Sequence, residues 1–126
     1  MSTSKASLWA GRVLTGLSAF GLISSGAMKL SGGAEMMKNW TDIGFPASSL
    51  TPVGAVEITI AIMTLIPQLS ALGLILVAAY LGGAVAIHLQ MGQPLYAPII
   101  LAVLAWGGLF LRDARVRALI PLRRPE

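Results

Sequence analysis

Between Glu57 and Arg112 the chain runs for 54 residues without a Lys, Arg, Asp or Glu, and His88 is the only residue there that titrates near neutrality. A bilayer span needs about 20 predominantly apolar residues, so this stretch holds two spans and most of a third. Pro67, with Gln68 and Ser70, punctuates it first, and Met91-Gly-Gln-Pro94 punctuates it again. The pattern predicts spans over about 51–66, 69–91 and 95–111. A further span precedes them at about 8–30. Its uncharged heart, residues 13–28, is bounded by Arg12 and Lys29. That heart is roughly 24 Å long at about 1.5 Å per residue, and snorkelling by the two flanking cations extends it. A secretory signal peptide is the competing reading of this segment. It would leave only three spans, and Lys29 is a poor residue just beyond a cleavage site.

Residues 31–50 form the one substantial loop. It carries Glu35, Lys38 and Asp42, then Gly44-Phe-Pro46. Met36, Met37, Trp40, Ile43 and Phe45 make it too apolar for a freely solvated linker. A short amphipathic helix at the interface, ending near Gly44, is expected; a polar loop packed on the helix ends is the alternative. Period-two alternation is absent, so no strands are expected. The predicted fold is all-α: a single integral membrane domain built as a four-helix up-down-up-down bundle.

Composition agrees with this pattern. The 126 residues are 56% hydrophobic and 11% charged, against about 25% charged in ordinary soluble domains. Intrinsic disorder is excluded, and the natural partner of so much apolar surface is a lipid bilayer. Net charge is +4, but Arg112, Arg115, Arg117, Arg123 and Arg124 crowd into residues 112–126. They read as a basic cytoplasmic tail at an anionic membrane surface, not as a nucleic-acid footprint. The positive-inside rule places both termini in the cytoplasm and the 31–50 loop outside. There is no cysteine, which excludes disulfides, thiolate metal sites and a cysteine nucleophile. One histidine and no evident pair of nearby carboxylates leave no metal site, and no P-loop, HExxH, GxSxG or dinucleotide fingerprint occurs.

The rare ionisable residues within the spans fall at one depth. Lys29 ends the first span, Glu57 lies within the first turns of the second, and His88 lies near the end of the third. Helices of alternating direction bring all three to the outer leaflet. An intramembrane carboxylate faces the bundle interior and pairs, so Lys29 and His88 are the expected partners of Glu57. Tyr80, Ala84 and His88 recur at four-residue spacing on one helix face, the expected wall of a pocket. A purely structural clasp is the alternative, because carboxylates suit helix N-termini and cations suit helix C-termini. Ala78, Gly82 and Ala86 on the third span, and Gly21 and Ser25 on the first, form small-residue stripes. These suit close helix packing within the bundle or a homo-oligomer interface. Trp9, Trp40, Tyr96 and Trp106 are placed mainly as interfacial aromatics.

Four segments in order, Ser25-Gly-Ala-Met-Lys-Leu30, Gly44-Phe-Pro46, Gly54-Ala-Val-Glu-Ile58 and Gly83-Ala-Val-Ala-Ile-His88, resemble the DoxX-like family of small bacterial four-helix membrane proteins. The resemblance covers residues from Arg12 to about Leu111 and excludes the basic tail. It implies a multi-pass protein of the bacterial cytoplasmic membrane. The family takes its name from the small subunit of a thiosulfate:quinone oxidoreductase, so a membrane redox system, a quinone and a partner redox protein are the implied setting. The lack of cysteine argues against the thiol mechanism of the quinone-handling epoxide reductases of similar build. Two functions from different classes follow. One is an accessory or ligand-binding subunit that holds a quinone, lipid or other apolar molecule, with Glu57 and His88 on its polar head and Tyr80 and Ala84 as wall. The other is a membrane-embedded enzyme in which Glu57 and His88 are the catalytic proton-transfer pair and Lys29 stabilises developing negative charge. A transporter has little room in four short spans without a broken-helix repeat.

Overall fold

The computed structural model describes residues 3–123 and 125. It is all-helical, with no strand among the described residues. Four long helices, α1 (Lys5–Ser31), α3 (Leu50–Leu65), α4 (Ser70–Gln90) and α5 (Tyr96–Arg112), are joined by α2 (Ala34–Asp42) and a single 3₁₀ turn (Ala47–Ser49), and α6 (Ala114–Leu119) follows. Helices α1 and α4 each pack against both α3 and α5, so the four make a square with α1 and α4 on a diagonal. Helix α1, the run Ala47–Leu65 and α4 are long and apolar enough to cross a membrane, and α5 is an apolar helix of 17 residues.

Leu22, Ile60, Ala61, Leu74, Val77, Leu81, Ala105 and Leu109 form the core. On the outside, Val13, Leu17, Phe20, Ile75 and Val103 are exposed, Phe20 at 73%. A belt of large apolar side chains around the bundle is what a hydrocarbon solvent requires and water disfavours. The protein is therefore a membrane protein by its surface as well as by its helices.

Which small residues bring helices together is decided by the face the core selects. Helix α4 turns Leu74, Val77 and Leu81 inward. That leaves Gly82 and Ala86 exposed, and a Cβ on Gly82 would meet nothing within 4 Å. Ala78 is half-buried, but the Gly82 and Ala86 part of the stripe faces outward, contrary to the close packing within the bundle that the sequence offers for it. Contact is made instead at Gly26 with Gly54 between α1 and α3, and at Gly11 with Gly108 between α1 and α5. A Cβ on Gly26 would lie 2.9 Å from the Gly54 carbonyl oxygen, and one on Gly11 would lie 2.6 Å from that of Gly108.

The two ends of the bundle differ. At the end where α1 begins and α5 finishes, Arg112 reaches into the bundle, donating from Nε to Thr15 Oγ1 (3.2 Å) and from Nη2 to the Thr64 carbonyl (3.2 Å). Arg117 caps α5 by donating to the carbonyls of Phe110 and Leu111. Arg115 pairs with Asp113, whose side chain caps α6. The arginine-rich tail is therefore partly internal scaffold: an arginine in the last turn of an apolar helix satisfies exposed carbonyls before it reaches a headgroup. Arg124 lies outside the described residues. The opposite end carries Lys29, α2 and the start of α3.

Candidate functional site

The site at that opposite end begins with the Gly26–Gly54 crossing. A Cβ on Gly54 would sit 2.8 Å from Lys29 Cβ, so only glycine lets the end of α1 lie against α3 here. Helix side chains tilt toward their own N-terminus. Lys29, in the last turn of α1, therefore extends back into the bundle, while Glu57 on antiparallel α3 extends toward it. They meet: Lys29 Nζ donates to Glu57 Oε2 at 2.8 Å and to Ser25 Oγ, one turn deeper on α1, at 2.9 Å. Glu57 is 2% exposed, and the Lys29 side chain 13%. The lysine thus folds inward instead of snorkelling outward, because a buried carboxylate without a partner costs more than the lost hydration of the ammonium.

The third ionisable residue lies elsewhere. His88 forms no ion pair with Glu57. Its Nδ1 lies 2.7 Å from the Ala84 carbonyl of its own helix. A carbonyl only accepts, so Nδ1 carries a proton and donates, and in the tautomer this selects Nε2 is the acceptor. Tyr80, two turns before His88 on α4, lies near the Glu57 carboxylate.

Lys29, Tyr80, Ala84 and His88 all line a cavity of about 550 Å³, within the usual range for small-molecule sites. Val53 in the first turn of α3 joins α4 in its wall, and Trp40, Phe45, Pro46 and Ser49 cover it. Glu57 is behind the wall, presented through Lys29. The cover is a packed unit. Trp40 is buried at 8% exposure, its ring 4.8 Å from that of Phe45, and its Nε1 donates to Ser49 Oγ at 2.8 Å. Trp40 is thus a roof residue and not the interfacial aromatic its sequence position suggests. Trp106 also packs against the core, whereas Trp9 and Tyr96 are 63% and 67% exposed.

Sequence reasoning does not find Trp40, Phe45, Ser49 and Val53 as lining residues. The available signal is the aromatic content of the 31–50 loop and its Gly44-Phe-Pro46 turn, which folds the roof back over α3. Among the described residues no group of three His, Asp or Glu could hold a metal ion. Chemically, the lining is an apolar and aromatic box with one ammonium, one imidazole acceptor and one phenol. Lys29 spends two of its three N–H donors on Ser25 and Glu57, so one remains. A family model described as the DoxX-like family matches residues 13–108. No curated protein and no solved structure matches the chain.

Proposed function

The chain belongs to the DoxX-like family, and from that premise we propose that it is a ligand-binding or accessory subunit of a membrane redox system, holding an apolar small molecule in the cavity under Trp40. The observation that carries this reading is the combination of a 550 Å³ apolar cavity with an inward-turned Lys29 and an imidazole on its wall. A clasp alone needs Lys29 and Glu57 but no roofed space beside them. In this reading all four long helices cross the bilayer, the termini lie in the cytoplasm, and the cavity lies in the outer leaflet. A quinone, the group the family resemblance implies, fits the lining. Trp40, Phe45 and Tyr80 offer flat apolar faces, and Lys29 retains a donor for a carbonyl oxygen. Bound there, a quinone supplies two-electron redox chemistry. The chain's own part is to orient the ring, exclude water and hold a proton acceptor at His88 Nε2.

The test is extraction and mass spectrometry of apolar molecules that co-purify in mild detergent with the native chain, Glu57→Gln and His88→Ala. The native chain is expected to carry one defined compound, and folded variants are expected to lose it. Failure of any compound to co-purify or to be taken up, with the native chain folded, overturns the reading. The free Nε2 of His88 favours a second reading, in which the same site is a catalytic acid–base centre. That reading requires pH-dependent turnover of a quinone analogue that disappears in His88→Ala.

A further inference from the structure

The cavity's remaining wall says what kind of molecule it admits and from where. Ala79 and Gly83, four residues apart on α4, line it and are both exposed. A Cβ on Gly83 would meet nothing within 4 Å, so the wall is thin and open there. Counting back from the end of α4 at Gln90, the pair lies about 10 to 16 Å below the helix end at 1.5 Å per residue. In a bilayer that depth is hydrocarbon. The exposed neighbours Leu72, Ile75 and Leu76 on the same helix give the opening an apolar surround.

The polar end of the cavity is electrically balanced. Among the described residues Lys29 is the only lysine or arginine on its lining, and Glu57 neutralises it at contact distance. The His88 ring is held by a backbone carbonyl and not by a carboxylate. A carboxylate or phosphate brought here would lose its hydration and find one ammonium already committed to Glu57 and Ser25, which is a poor exchange. A hydroxyl or carbonyl needs only one donor or one acceptor, and Lys29, Tyr80 and His88 on the lining offer both kinds.

We propose that the cavity admits an uncharged single-headed amphiphile, bearing a hydroxyl or carbonyl, sideways from the bilayer through the Ala79–Gly83 window, and rejects an anionic head of the same chain length. This rests on the ligand-binding reading above and adds the ligand's charge class and its route. Bulk at Gly83 closes the window without disturbing the bundle, since its Cβ direction is free. Gly82, exposed on the same helix but not on the cavity lining, is the matched control.

The experiment reads Trp40 fluorescence in vesicles, in a Trp9→Phe/Trp106→Phe background that leaves Trp40 as the one tryptophan. The quenchers are terminally brominated undecanol and terminally brominated undecanoate, the latter at about pH 9, far above the ordinary carboxyl pKa. Bromoundecanol is expected to quench saturably, and bromoundecanoate at least tenfold more weakly. Gly83→Phe is expected to weaken the saturable quenching by bromoundecanol at least tenfold, and Ala79→Leu to weaken it in the same direction, while Gly82→Phe leaves it unchanged. Equal or tighter binding of the anion overturns the charge class and leaves the cavity standing as a site. Indifference to Gly83→Phe and Ala79→Leu overturns the lateral route. Absence of saturable quenching by either probe overturns this proposal together with the binding reading it rests on.

Discussion

Glu57 is 2% exposed and its charge is answered by one ammonium, so the pair behaves as a unit. Removing one member strands the other charge in a low-dielectric interior, at a cost of about 3–5 kcal/mol. Replacing both with apolar side chains of similar volume is close to neutral. Lys29→Met and Glu57→Leu are each expected to lower thermal stability in detergent strongly, and the double variant is expected to recover most of it. Additive losses in the double variant would contradict the pairing. Residues that reach across helices were legible where depth alone decides: Lys29, Glu57 and His88 share one end of the bundle. The rotation of each side chain was not. His88 satisfies its Nδ1–H on Ala84 within its own helix, a local bond that competes with any partner on α3 and that spacing does not reveal.

At the scale of elements, the α1–α3 crossing sets the site. Gly54→Ala places a methyl 2.8 Å from Lys29 Cβ and 2.9 Å from the Gly26 carbonyl, an overpacking that costs typically about 1–3 kcal/mol. Gly82→Ala fills open space on α4 and is expected to be neutral or to stabilise by up to about 1 kcal/mol through helix propensity. Parallel unfolding curves check the contrast, and equal effects at the two glycines would contradict the packing described. Helix α6 depends on Asp113, whose carboxyl is held below its ordinary value, chiefly by hydrogen bonds from the Arg115 side chain. A depressed folded pKa means its contribution is complete above the unfolded value, about 3.9, and is lost as pH falls through the lower folded value. Protection of the Arg115 to Arg117 amides, relative to an unfolded chain at the same pH, is expected to hold down to about pH 4 and to fall below it. Loss of protection that begins near neutrality would contradict this cap. Helices were readable in the sequence because charge-free length and proline punctuation determine them. The inward face of α4 was not, because in a helix apolar all round no polar stripe marks the outside.

For the whole molecule, the asymmetry between an arginine-rich end and a roofed cavity end predicts orientation. The chain lacks cysteine, so single substitutions label cleanly. Ser48→Cys, exposed in the turn that carries the roof residue Ser49, is expected to react with an impermeant maleimide on intact cells, and Leu122→Cys only after permeabilisation. The reverse pattern would invert the topology. The class of the protein was visible in its scarcity of charge, and the two ends in where the few charges fall. The roof was hidden because Trp40 and Phe45 pack on each other across the turn that follows α2 and together face α4, an arrangement without a periodic signature. The central claim is that Lys29 and Glu57 serve a ligand and not only the fold. Native mass spectrometry of the Lys29→Met/Glu57→Leu double variant beside the native chain tests it directly. The account predicts that the folded double variant sheds a small molecule that the native chain retains at one per chain. A folded double variant that keeps the same adduct, or a native chain that carries none and takes up none, would contradict it.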